Sequence, residues 1–173
     1  MNEKEKALVR DLIESVIIAV VLAFGIIRPF IIQPYVIPSG SMEPTFLVGD
    51  KLFVNKFIYR FKPIQRFDVI VFKYPHNPKV DYIKRVIALE GETVQLIDGK
   101  VYINGQPVEE NHKMYSSYDN FGPITVPKGN LFVLGDNRGN SEDSRYFGFV
   151  PVENVIGKAF LIYWPPGRIS LIK

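Results

Sequence analysis

The sequence contains no cysteine. That excludes disulfides, thiol nucleophiles and cysteine-ligated metal together. Histidine is scarce as well. His76 and His112 both stand beside an asparagine in turn-like surroundings, thin material for a histidine-based metal site. No Gly-x-Ser-x-Gly elbow is present, and no Ser-x-x-Lys motif surrounds a candidate serine. The net charge of +3 is modest and no basic run stands out, so nucleic acid is not expected as a partner. There is no internal repeat and no low-complexity segment.

What the sequence does have is an apolar N-terminal stretch. Val16–Ile27 runs without a polar side chain, Arg28-Pro29 interrupts it, and Phe30-Ile31-Ile32 extends it. Taken as one helix, 12–32 matches the roughly 30 Å thickness of a bilayer's hydrocarbon core. A buried core helix and a cleaved secretory signal are the alternatives. Arg28-Pro29 falls where a cleavage site needs small residues, which favours an uncleaved anchor. Lys4, Lys6 and Arg10 precede the stretch, and no Lys or Arg lies between Pro29 and Asp50. The positive-inside rule then places the N-terminus in the cytoplasm and the rest of the chain outside. The expected organisation is a cytoplasmic N-terminus over 1–11, a transmembrane anchor over 12–32 and an extracytoplasmic domain over 33–173.

That domain reads as β. Segments 51–57, 68–74, 80–89, 131–134 and 155–164 are short, rich in aromatic and β-branched residues, and bounded by turn formers. Thr93–Ile97, Lys100–Ile103 and Gln106–Val108 are joined by Asp98-Gly99 and Asn104-Gly105, dipeptides suited to two-residue hairpin turns. Ser170–Ile172 suggests a short last strand, and Asn111–Pro127 a long surface loop. The prolines of Gln33–Pro38 make that segment extended. The expectation is a mostly β protein: one antiparallel, barrel-like catalytic domain preceded by one transmembrane helix.

Three segments carry candidate chemistry. In Pro38-Ser39-Gly40-Ser41-Met42-Glu43-Pro44-Thr45, prolines stiffen both ends of a loop with two hydroxyls, though Ser-Gly turns are also common on surfaces. A serine nucleophile needs a base. Lys84 sits in the apolar strand Asp81–Leu89, with Arg85 on the opposite face. Desolvated there, it would lose its proton readily and serve as the base; at an edge it would simply reach into water. The third segment, Gly135 to Arg145, is dense in charged, amide and hydroxyl groups, either as a polar brace or as an ordinary turn.

In this order, Ser39–Phe46, Tyr82–Ile87 and Gly135–Arg145 resemble three motifs of the type I signal peptidases, membrane-bound serine proteases that release exported proteins from signal peptides. The resemblance spans nearly the whole chain, including Gly49-Asp50. It implies Ser41 as nucleophile and Lys84 as general base, with the Ser41 N–H and the Ser39 hydroxyl as oxyanion hole. Ser141 would orient Lys84. Asp136 with Arg85 and Asp143 with Arg145 would be structural ion pairs. Tyr35, Ile37, Met42 and Ile83 would line shallow pockets for small side chains. The substrate would add as a strand beside Gln33–Pro38 and Asp81-Tyr82-Ile83. No metal or organic cofactor is implied. Preprotein signal peptides and membrane lipid are the expected partners, with the export machinery open as a third. Ala88-Leu89-Glu90-Gly91-Glu92 departs from the family's usual Gly-Leu-Pro-Gly-Asp, and the short segment between Lys84 and Gly135 resembles the compact, single-anchor forms common in Gram-positive bacteria. The rival reading is a non-catalytic, membrane-anchored β domain that binds exported chains.

Overall fold

The computed structural model describes residues 3–22, 25 and 31–172. An N-terminal helix, α1 (Glu3–Leu22), precedes the β domain. Among the described residues no helix is long and apolar enough to cross a membrane. The anchor expected over 12–32 runs on through residues 23, 24 and 26–30, which lie outside the described residues.

The domain is built from two antiparallel sheets. The larger contains β1 (Ile32–Val36), β2 (Lys51–Asn55), β3 (Val69–Tyr74), β4 (Asn77–Ala88), β9 (Asn130–Leu134), β10 (Val150–Pro151), β11 (Val155–Trp164) and β12 (Ser170–Leu171). Its strands run β1-β2-β11-β3-β4-β9-β10, with β12 added to β11. The smaller contains β5 (Thr93–Ile97), β6 (Lys100–Ile103), β7 (Gln106–Pro107) and β8 (Phe121–Thr125), in the order β7-β6-β5-β8. A one-turn helix, α2 (Ser144–Phe147), follows β9. This is the mostly β, antiparallel architecture expected from the sequence.

Local chemistry explains the turns. Asp98-Gly99 has φ of 48° and 76°, and Asn104-Gly105 has 52° and 78°. Both pairs hold the left-handed conformation that two-residue hairpins require. The segment expected as a loop over Asn111–Pro127 differs from the reading, because its end is β8, paired to β5 through Val94↔Ile124 and Thr93↔Thr125. Gly122-Pro123 forms a bulge on an edge strand, where a missing N–H costs nothing. A Cβ on Gly122 would lie 2.7 Å from the Val94 carbonyl oxygen, so only glycine fits.

Three apolar clusters fill the domain. The first packs Ile37, Met42, Phe46, Leu52, Val54, Val69, Val71, Ala159 and Ile162 beneath one face of the large sheet. The second joins the small sheet to the ends of β4 and β9. The third covers the far side of β3 and β9 around Phe72, Val133 and Phe147.

Two open strand edges of the large sheet approach each other. β1 pairs only with β2. β4 pairs with β3 from Asn77 to Arg85, but meets β9 only from Arg85 onward. The free edge of β1 and the first half of β4 are joined by one bond, from Tyr35 Oη to Asp81 Oδ2 at 3.1 Å. Ile37 exchanges backbone bonds with the β2 side through both its N–H and its C=O. By strand alternation the polar groups of residues 34 and 36 therefore face the open edge.

Candidate active site

The loop that carries Ser39 and Ser41 is held from below. Gly40–Met42 forms a 3-10 turn, and Met42 and Phe46 are wholly buried in the first cluster. Burying two such side chains contributes about 1.5–3 kcal/mol each. The loop's exit is pinned by Asp50, which accepts from Leu47 N at 2.8 Å and pairs with Arg168 Nη2 at 2.9 Å. Arg168 also donates to the Thr45 carbonyl at 3.1 Å.

The third motif supports the same loop from the side. Asn137 donates its backbone N–H to the Ser41 carbonyl and its side-chain amide to the Gly40 carbonyl, both at 3.1 Å. Gly135 lies so close beneath that a Cβ there would fall 2.4 Å from the Ser41 carbonyl oxygen and 2.2 Å from Ser141 Oγ. Glycine is needed at 135 for this close approach. Neither role was legible in the sequence, since both depend on contacts across about a hundred residues of chain.

Lys84 faces the loop. Its Nζ lies 2.8 Å from Ser41 Oγ and 3.0 Å from the Ile83 carbonyl oxygen, and the side chain is almost fully buried. Burial pushes its pKa down from 10.5 to about 8, against the pull of Asp143, Glu142 and Asp136. About a tenth of the amine is therefore uncharged at pH 7, far more than for an exposed lysine, and an uncharged amine accepts the hydroxyl proton across this same short contact. The Ser39 hydroxyl lies 3.5 Å from Ser41 Oγ.

Ser41 and Lys84 lie in a cleft of about 410 Å³ between Pro38–Ser41 and Val80–Lys84, with Asn140 and Glu142 completing the wall. A smaller recess of about 40 Å³ adjoins it, lined by Tyr35, Ile37, Val71, Asp81, Tyr82 and Ile83 among others. Tyr82 and Tyr74 stack at 4.4 Å and donate their hydroxyls to the two oxygens of Glu142, at 3.0 Å each. Burial and the Glu142 carboxylate push the Tyr82 hydroxyl up to about 12, so it remains a donor. Met42 has no exposed surface; it supports the loop from behind instead of presenting a face to the cleft.

The expected bond from Ser141 to Lys84 is not formed. The Ser141 hydroxyl is buried against Gly135 and has no hydrogen-bond partner among the described residues, while Lys84 is satisfied by Ser41 and Ile83. Arg85 and Asp136 form a doubly bonded pair at 2.8 and 2.7 Å, wholly buried. Thr45 also donates to Asp136. Arg145 pairs with Asp143 at 2.8 Å, and Asp143 caps α2 and accepts from Gly135 N at 3.0 Å. No cluster of ligating side chains suited to a metal occurs among the described residues.

Comparison with known proteins identifies what this arrangement is similar to. Residues 9–164 match the family described as signal peptidase, peptidase S26. A signal peptidase I from Leptolyngbya laminosa is 47% identical over 166 residues, covering 91% of this chain and 81% of the relative. A signal peptidase I from Aquifex aeolicus is 38% identical, covering 84% of this chain and 80% of the relative. Among solved structures, a signal peptidase I from Enterococcus faecalis superposes with a TM-score of 0.50 at 41% identity, covering 56% of this chain and 97% of that one.

Proposed function

The chain belongs to the signal peptidase family, peptidase S26, and from that premise we propose that it removes signal peptides from preproteins with Ser41 as nucleophile and Lys84 as general base. The observation that carries the reading is the 2.8 Å contact between a buried, readily deprotonated amine and a hydroxyl at the floor of an open cleft.

Ser41 Oγ attacks the scissile carbonyl carbon while Lys84 takes its proton. The carbonyl electrons move onto oxygen, which the Ser41 N–H and the Ser39 hydroxyl receive as hydrogen-bond donors. The tetrahedral species collapses as the lysine ammonium gives its proton to the leaving amine. The mature chain departs and the signal peptide stays esterified to Ser41. A water, deprotonated by the same lysine, attacks the ester and regenerates the hydroxyl.

The substrate enters as an extended strand between β1 and the first half of β4, where both edges have backbone groups to offer. The recess beside Tyr35, Ile37 and Ile83 is about 40 Å³ against about 410 Å³ for the cleft, and suits a small residue before the cut. The ion pairs Arg85–Asp136 and Arg145–Asp143 brace the third motif under the loop. In the same reading, 1–11 lies in the cytoplasm, 12–32 crosses the membrane once and 33–173 works outside. The apolar run Val16–Ile27 and the basic residues before it support that topology. Membrane lipid would then surround the anchor, and preproteins would arrive from the export machinery.

The test is direct. Detergent-solubilised protein is incubated with a preprotein, and the products are sized for wild type, Ser41→Ala and Lys84→Ala. Wild type should yield signal peptide and mature chain, and both variants neither. Wild-type turnover by Ser41→Ala would overturn the mechanism.

A further inference from the structure

Among the described residues, the charged side chains lining the catalytic cleft are three: Asp81, Lys84 and Glu142. Lys84 acts only when it has lost its proton. In the active state the cleft therefore presents two carboxylates and no cation to balance them.

Of the two, Glu142 is the one whose setting asks for an explanation. It is exposed, and among the described residues no cationic side chain lies within ion-pair distance of it. Its partners are two tyrosine hydroxyls, one on each oxygen. The tyrosines are stacked and nearly parallel, at 11°. A carboxylate clamped in this way keeps a fixed direction. Its two oxygens offer about four lone-pair sites, and the hydroxyls occupy two of them. The remaining acceptor capacity is open, in a cleft built to receive a peptide. Bridging two hydroxyl donors does not need a charge, since a glutamine carbonyl oxygen also accepts. What the carboxylate adds is a negative charge fixed beside the bond to be cut. Asp81 is held the same way, by Tyr35, on the neighbouring wall.

We propose that Glu142 sets a charge preference on the substrate, so that the cleft favours a cationic side chain near the scissile bond and disfavours an anionic one. The inference rests on the Ser41–Lys84 reading of the cleft, because it needs the substrate to lie there.

The experiment uses one preprotein and single replacements by Lys, Gln or Glu at each of the three positions before and after the cut. Cleavage is measured as kcat/KM at low salt and at 1 M salt. For wild type, at least one position should show Lys preferred over Glu by about tenfold or more at low salt, the size expected of one fixed charge in a partly screened cleft. That ratio should shrink toward one at 1 M salt, where screening acts within about 3 Å. Glu142→Gln should reduce the low-salt ratio at the same position at least about threefold, and Glu142→Lys should reverse it. Comparing ratios within each variant removes differences in overall activity, and the salt series tests the idea on wild type alone should a variant fold poorly. Equal cleavage of Lys and Glu substrates at all six positions would overturn the proposal. So would a preference that survives Glu142→Gln. Ser41→Ala run on the same substrates keeps the two ideas apart: product from that variant refutes the catalytic reading, whereas an unchanged ratio in Glu142→Gln with Ser41→Ala inactive refutes only the charge preference.

Discussion

Lys84 and Arg85 are neighbours on β4 and are treated in opposite ways. Strand alternation sends them to opposite faces, and both are buried. Behind the sheet, Arg85 meets Asp136 through two short bonds and keeps its charge. Toward the cleft, Lys84 meets a serine and a backbone carbonyl, neither of them charged. The same sheet thus holds one cation compensated by a carboxylate and one whose charge is discouraged by desolvation. The chemistry of the side chains matches the division. A guanidinium stays protonated and suits a bidentate partner, whereas an ammonium can yield its proton. In the proposed mechanism, one position serves the scaffold and the other the reaction.

The sharpest way to break this contrast is to make position 84 resemble position 85. Lys84→Arg, like Ser41→Ala, should lower kcat/KM by at least about 10⁴-fold, since a permanent cation cannot accept the serine proton. The wild-type rate should rise as pH increases through about 8, because the active form is the deprotonated amine. Preprotein cleavage followed from pH 6 to 10 checks both, and a flat profile would contradict the assignment. The complementary attack is on the other face. Asp136→Asn leaves Arg85 buried without its counter-charge and should destabilise the domain by about 3–5 kcal/mol in denaturant melts.

A smaller effect sharpens the comparison thermodynamically. Folding lowers the Lys84 pKa from 10.5 to about 8. Between those values the unfolded chain binds the proton and the folded chain does not, so wild-type stability should climb with pH over that window. Below about pH 8 the cost of burying the amine is constant. Lys84→Met removes it and should raise stability at pH 6 by about 3 kcal/mol, a gain that fades to nothing above pH 10.5. Urea titrations of both proteins at pH 6, 9 and 11 measure this. The least effect belongs to Ser141. Its hydroxyl is buried without a partner, so Ser141→Ala should leave stability unchanged or raise it by up to about 1 kcal/mol. A thermal melt showing a loss of 2 kcal/mol or more would mean that the hydroxyl has a partner after all.

How much of this was readable in the chain depended on the range of the interaction. Local signals worked. Asp98-Gly99 and Asn104-Gly105 mark their hairpins because Asp, Asn and Gly adopt the needed left-handed conformation most readily. The strand Val155–Trp164 was visible as a run of aromatic and β-branched residues between turn formers. Lys84 could be singled out as a lysine in apolar company, but its contact with Ser41, 43 positions away, is a fact of the fold. The segment before β8 shows the limit most clearly. Over Asn111–Asn120 nothing periodic appears, yet Tyr115 exchanges backbone bonds with Asp136 and Arg138, and Asp119 pairs with Arg145. Its order comes mostly from distant segments, the third motif and the Asp98-Gly99 hairpin among them. Glu142 lay inside a recognisable motif, but its role could not be read there, because the tyrosines that hold it are 60 and 68 residues distant.

The open edges of β1 and β4 carry a further consequence. A sheet with two unfilled sides will zip onto any stretched polypeptide, including the enzyme's own kind, and proteins usually guard such rims. Here the guard is partial: Pro34 offers no N–H to a visitor, and Asp81 places a charged side chain at the opposite lip. In the proposed mode of binding, a client wound into a helix has no main-chain groups to spare, so the bond to be cut would first uncoil. Helix-breaking residues shortly before the cut would thus govern the speed of processing without touching the enzyme at all.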